Sequence, residues 1–166
     1  MSRSGGKQDD HGQVRRGESV PGRPAPDAAP VLGLGTDLCA VRRLRRELAR
    51  DGQDALEAIF RTSERAWCER HSDPARAYAA CFAAKEAVIK ALARSGGRGT
   101  FWQDIEIGDD GHGRPAVTLH GRIADLAHDL GVRRIRLSHA HSQDYATACA
   151  IVSGRPAAPG PARPHP

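Results

Sequence analysis

The sequence predicts an α+β fold, on three observations. Helical and strand-like segments alternate without a regular βαβ rhythm, one long helix near the middle carries an apolar face, and the final two strands follow one another across a short polar connection. At 166 residues the chain can bury one substantial core and is short for two independent domains. Apolar residues make up 39% and charged residues 27%, close to globular values, which sets aside a fully disordered or fibrous chain. No stretch approaches the roughly 20 apolar residues that cross a bilayer, and the N-terminus is polar, so neither a membrane span nor a secretory leader is expected.

Nine of the 11 prolines lie in residues 1–30 and 154–166, mixed with glycine, serine and charge. Such ends lack the apolar surface that offsets ordering entropy and read as disordered tails, leaving residues 31–153 as the domain. The formal charge of +5 is mostly made outside that domain, where 18 basic side chains face 16 acidic ones for a net of +2 within residues 31–153. With only 4% aromatic residues, nucleic-acid binding gains little support.

Val31-Leu32-Gly33-Leu34-Gly35-Thr36-Asp37 reads as a short buried strand, apolar and glycine-containing, that stops at the polar Asp37. A helix follows over Val41–Arg50, with Val41, Leu44 and Leu48 at helical spacing, until Asp51-Gly52 breaks it. Arg42, Arg43, Arg45, Arg46 and Arg50 flank that apolar stripe and form either a solvated face or a meeting place for an acidic partner. Helical pieces over Ala55–Phe60 and Glu64–Arg70 precede Ser72-Asp73-Pro74, a capping pair with a first-turn proline.

The long helix, Pro74 to Arg94, is the most informative element. An advance of about 100° per residue puts Tyr78, Cys81, Phe82, Val88, Ile89 and Leu92 on one face. Lys85 falls in the middle of that stripe, and Glu86 and Lys90 lie together on its flank at i,i+4 spacing. On an arbitrary helix this pattern is a snorkelling lysine beside a surface ion pair.

Beyond Gly96-Gly97 and Gly99, Ile105–Ile107 and Ala116–Leu119 flank the turn-forming run Asp109–Pro115 as a hairpin. A helix over Ile123–Leu130 ends at Gly131, and strands follow at Arg134–Ser138 and Tyr145–Ser153. The last strand has two largely apolar faces, which fits either a core or an interface. The four cysteines, Cys39, Cys68, Cys81 and Cys149, show no CxxC spacing and read as packing residues in a reducing cytoplasm rather than zinc ligands or disulfides.

Three places could carry chemistry: Asp37, the run Phe82-Ala83-Ala84-Lys85-Glu86-Ala87-Val88-Ile89-Lys90-Ala91, and Ser138-His139-Ala140-His141. With Gly33-Leu34-Gly35-Thr36-Asp37 and Gln103-Asp104-Ile105-Glu106-Ile107, and in this order, they resemble the holo-acyl-carrier-protein synthase family of 4'-phosphopantetheinyl transferases over residues 31–153. The resemblance implies the 4'-phosphopantetheinyl transferase fold, a long central helix packed on a small, mainly antiparallel sheet. It implies a reaction in which a serine hydroxyl of an apo acyl carrier protein attacks the β-phosphate of coenzyme A and releases 3',5'-ADP.

The residues suit that reaction, because a hard cation such as Mg²⁺ takes oxygen from one or two carboxylates plus substrate phosphates. By the resemblance Asp37 and Glu86 ligate Mg²⁺, and Glu86, directly or through a metal-bound water, helps deprotonate the serine. Lys90 contacts phosphate and stabilises the departing oxygen, Lys85 contacts coenzyme A, and His141 rather than His139 is the phosphate-site histidine, counted back from Tyr145. Arg43, with Arg42 and Arg46, docks the acidic carrier protein, and the assembly implied is a homotrimer with sites between subunits. Cys81 stands where an arginine often precedes the Phe-Ala-Ala-Lys-Glu run, and Ala93-Arg94-Ser95 replaces a glycine-threonine-glycine segment, so coenzyme A contacts differ there. A noncatalytic carrier-protein or nucleotide-binding module that kept the fold is the alternative.

Overall fold

The structure, a computed structural model, describes residues 29–92 and 102–155. Strand β1 (Val31–Ala40) lies antiparallel to β5 (Tyr145–Gly154), whose other edge pairs with β4 (Val132–His141), giving a three-stranded antiparallel sheet in the order β1-β5-β4. Strands β2 (Ile105–Asp109) and β3 (Pro115–Leu119) form a separate hairpin in which Ile105 faces Leu119. The α+β reading and the helix-on-sheet architecture hold, with the strands divided between two sheets.

Helix α1 (Val41–Ile59) runs further than its sequence suggests. Gly52, at φ 63° and ψ −145°, interrupts it as expected, but the chain resumes helical geometry at once, so the short helix expected over residues 55–60 is its continuation. Helix α2 (Thr62–Cys68) starts two residues early because Glu64 reaches back to accept the Arg61 backbone N–H at 2.7 Å. Helix α3 (Pro74–Leu92) then crosses the sheet, and α4 (Gly121–Asp129) ends near Gly131, at φ 72°. Residues 1–28, 93–101 (with the Ala93-Arg94-Ser95 segment) and 156–166 lie outside the described residues, whereas the inner ends of both expected tails join the domain: β5 includes Gly154, whose N–H donates to the Pro30 carbonyl at 3.0 Å, and the Arg155 N–H donates to the Gly131 carbonyl at 3.0 Å.

The expected one-sided burial of α3 is too modest. Ala79, Ala80, Ala83, Ala84, Ala87 and Val88 are buried along with Tyr78, Cys81 and Leu92, because the sheet covers one side while α1, α2 and β2 cover others. The seam with β1 and β5 is built from small residues, Ala146, Ala148 and Ala150 on β5 and Gly33 and Gly35 on β1. A Cβ on Gly33 would run into the Ala91 carbonyl, and one on Gly35 would lie 2.6 Å from the Ala91 nitrogen and 2.9 Å from Lys90 Cβ. Backbone thus lies against backbone, and dispersion between many close atoms replaces interlocking of large side chains.

β1 also runs three residues past Asp37, which is not at a strand end but faces Ala148 within the ladder. A Gly35→Ala substitution should destabilise the fold by about 3 kcal/mol, the upper end of the overpacking range, since backbone rather than a flexible side chain must move. Urea unfolding measures this, and an unchanged midpoint would show that α3 can shift away at no cost.

Candidate active site

The glycine seam sets where the polar residues of β1 and α3 meet. Asp37 points to the α3 side of the sheet, and Lys90 Nζ reaches its Oδ1 at 2.6 Å and the Thr36 carbonyl at 3.1 Å. The Asp37 carboxylate is mostly covered, whereas Lys90 is half exposed, so the pair opens to solvent on its lysine side. Glu86 lies one turn before Lys90, roughly 6 Å away at the Cβ level. Trp102 Nε1 donates to Glu86 Oε1 at 2.6 Å. Among the described residues Asp37 Oδ2 and Glu86 Oε2 have no hydrogen-bond partner, and no group of three or more metal-ligating side chains forms.

Lys85 goes elsewhere. It is fully buried, and its Nζ pairs with Glu64 Oε2 at 2.8 Å and donates to the carbonyls of Trp102, at 2.8 Å, and Ile105. Burial pushes its pKa down, opposed by Glu64. The expected contact with coenzyme A therefore meets a side chain with no exposed surface, whose neighbours are all internal. Glu64, equally buried, also accepts the backbone N–H groups of Arg61 and, at 2.9 Å, Ile107. Sequence reasoning missed Glu64 and Trp102, whose partners on α3 lie 21 and 16 residues away, beyond any helical spacing.

The Gln103–Ile107 run acts as a joint. Gln103 donates to the Glu57 and Phe60 carbonyls, Asp104 accepts the Arg122 backbone N–H at 3.1 Å, and Glu106 accepts from Ser63 at 2.5 Å and lies 2.9 Å from His120 Nε2. The Ser63 hydroxyl, then His120 and Arg61, hold the Glu106 carboxyl below its usual range against the opposing effect of burial. These contacts fix Trp102 and β2 against the ends of α1 and α2.

The chain matches the profile described as the 4'-phosphopantetheinyl transferase superfamily over residues 33–150. The chain belongs to that superfamily. It is 37% identical over 122 residues to a holo-acyl-carrier-protein synthase of Koribacter versatilis, covering 74% of this chain and 98% of that protein. Its fold is similar to the holo-acyl-carrier-protein synthase of Neisseria meningitidis, with a TM-score of 0.68, 28% identity and coverage of 75% and 99%. It is also similar to the Helicobacter pylori synthase solved with coenzyme A, with a TM-score of 0.63, 26% identity and coverage of 72% and 99%.

In this 4'-phosphopantetheinyl transferase both candidate histidines belong to β4. His141, opposite Ala146, is exposed at the strand end, while His139 is half-buried beside Trp67, Cys81 and Ile107. Burial, and then the charge of His141, pushes the His139 pKa down. His139, Ala148 and Asp37 form one row across the sheet, which separates His139 from Asp37 by two strand spacings, about 10 Å. Cys81 is buried with its sulfur 3.9 Å from that of Cys68, and all four cysteines are free thiols.

The arginine cluster divides. Arg45 donates to both Asp73 oxygens at 2.9 and 2.8 Å, whereas Arg42, Arg43 and Arg46 line a surface hollow of about 410 Å³ with Ala40, Asp144 and Tyr145. Arg43 also lies 3.6 Å from Glu47 on the exposed face of α1.

Lys85→Met should cost about 3–5 kcal/mol, because it leaves the Glu64 carboxylate buried without its cation. Adding Glu64→Gln should recover part of that loss, since it removes the unpaired buried charge, although its single amide oxygen can accept only one of the Arg61 and Ile107 N–H groups that Glu64 takes on separate oxygens. Thermal unfolding of the two variants checks this, and a double variant less stable than the single one would refute it.

Proposed function

We propose that this protein is a holo-acyl-carrier-protein synthase, transferring 4'-phosphopantetheine from coenzyme A to a serine of an apo acyl carrier protein and releasing 3',5'-ADP. One observation supports the reading: of the residues that the family resemblance selects, Lys90 pairs with Asp37 at 2.6 Å where β1 lies on α3, and Glu86 stands one turn before Lys90 on the same helix. The similar proteins from Koribacter versatilis and Neisseria meningitidis are named as synthases of this kind, and the Helicobacter pylori protein was solved with coenzyme A.

Two carboxylates, each with one oxygen lacking a protein partner among the described residues, fit a hard divalent cation that completes its shell with phosphate and water. Asp37 and Glu86 would hold Mg²⁺, which when bound neutralises charge on the pyrophosphate. Glu86 also assists in taking the proton from the serine hydroxyl as its oxygen bonds to the β-phosphorus. Lys90, half exposed beside Asp37, turns its ammonium to the phosphates and stabilises the oxygen that leaves with 3',5'-ADP. His141, exposed at the end of β4, contacts phosphate, and Lys85 acts from the interior by holding the backbone around Trp102.

The outer face of the sheet supports a homotrimer. Leu34, Leu38 and Tyr145 are 61%, 63% and 53% exposed, an apolar surface that an interface between copies would cover. Arg42, Arg43 and Arg46 form the docking surface for the acidic carrier protein. The four free thiols suit a reducing cytoplasm, and among the described residues no helix is long and apolar enough to cross a membrane.

Intact mass of an apo acyl carrier protein incubated with the enzyme, coenzyme A and Mg²⁺ should rise by one phosphopantetheine. The gain should vanish without metal and fall at least about 100-fold in rate with Glu86→Gln. No gain with several unrelated carrier proteins, from folded protein that binds coenzyme A, would favour the noncatalytic module. With Arg43→Glu, the rate at low salt should fall and its decline with added salt should flatten, because complementary charge acts mainly on association. Unchanged rates at every salt concentration would remove Arg43 from the docking surface.

A further inference from the structure

We propose that Trp102 is a positioning residue for Glu86, held by the buried Lys85–Glu64 pair; the proposal rests on the transferase reading above. Consecutive residues of α3 grip the two ends of Trp102. Lys85 Nζ donates to its carbonyl at 2.8 Å, and its indole N–H donates to Glu86 Oε1 at 2.6 Å. The ring lies against Phe82 at 5.7 Å between centroids, tilted by 52°. Backbone, ring face and N–H are thus fixed separately, and the Glu86 carboxylate is restrained by a group that cannot itself turn away.

The chemistry of the donor matters. An indole N–H donates and never accepts, and it stays neutral at every working pH. It can orient one carboxylate oxygen without neutralising the charge that a cation needs, leaving Oε2 open. A lysine or arginine in the same place would pair with the Glu86 carboxylate and compete with a cation for it, in the way that Lys90 pairs with Asp37 at 2.6 Å. Partners that orient metal ligands in this way typically change metal affinity or activity 10- to 100-fold when removed.

The test uses the full chain with coenzyme A present and Mn²⁺ as the probe cation, its binding followed by the electron paramagnetic resonance of free Mn²⁺. Trp102→Phe keeps a ring against Phe82 and loses the N–H. It should weaken Mn²⁺ binding about 10-fold or more and lower kcat, with KM for the carrier protein unchanged. A second measurement covers the case in which that variant does not fold. The chain has two tryptophans, so Trp67→Phe leaves Trp102 as the sole indole. Mn²⁺ should then quench its emission at the concentration that fills the site, and adding Glu86→Gln should abolish the quenching. Mn²⁺ affinity within twofold of wild type in Trp102→Phe, Trp102 emission indifferent to saturating Mn²⁺, or no Mn²⁺ binding by the wild type would each overturn the proposal. A wild type that binds Mn²⁺ with Trp102 quenching but modifies no carrier protein would instead overturn the transferase reading and leave this one standing.

Discussion

A helix can lie directly on a strand only where neither sends a side chain between them. Gly33 and Gly35 on β1, and Ala87 and Ala91 on α3, meet that condition, and the rest of the site follows from it. With the backbones in contact, Lys90 reaches Asp37 across the seam at 2.6 Å, and Glu86 is carried on the same helix one turn away. A larger residue at either glycine would push α3 outward and separate the carboxylate on the strand from the residues on the helix. The same residues therefore set stability and the spacing of the chemistry, and the tight seam is the local requirement that most limits sequence choice.

The second constraint is electrical. A lysine and a glutamate without exposed surface form a pair whose mutual attraction roughly cancels the cost of removing both from water, so little net stability is expected from it. Its effect is directional. Glu64 gathers two backbone N–H groups from α2 and β2, and Lys85 gathers two carbonyls from the approach to β2, so three elements are tied at one point. An apolar pair of equal volume would fill the space without specifying which carbonyl faces which helix. The Trp102 indole is aimed at Glu86 because its backbone is held at that point.

Periodicity made the helices, the hairpin and the two final strands legible, since those depend on neighbours a few residues apart. It could not decide between the two readings of Lys85, snorkelling or ligand contact, and the structure shows a third, because the partner is Glu64 on another helix. Glu64 itself looks like any polar residue near a helix start, and Trp102 follows a glycine-rich stretch with no pattern to place it. The burial of α3 on several sides was hidden for a related reason: alanine fits both exposed and buried helix faces, so a run of alanines does not announce that three elements converge on it. Asp37, Glu86 and Lys90 stood out only because their order and separations resemble a family; the fold pairs Lys90 with Asp37 and carries Glu86 one turn away on the same helix.

Charge shows the same limit. Net charge pointed weakly toward nucleic acid, and removing the tails dissolved that signal, while the arginine run over Arg42–Arg50 stayed ambiguous as sequence. In the structure a single carboxylate sorts it, because Asp73 binds Arg45 through both oxygens and leaves Arg42, Arg43 and Arg46 around one hollow at the foot of β1. The hollow is bounded by Ala40, three residues beyond Asp37 on the same strand. A strand that is extended over those residues spans about 10 Å, so an acidic helix seated on the arginines would hold a hydroxyl at its end within reach of the carboxylates. On the proposed reading, β1 would couple the docking surface to the chemistry, since it carries both Asp37 and Ala40 and its position against α3 is set by the glycines at its start.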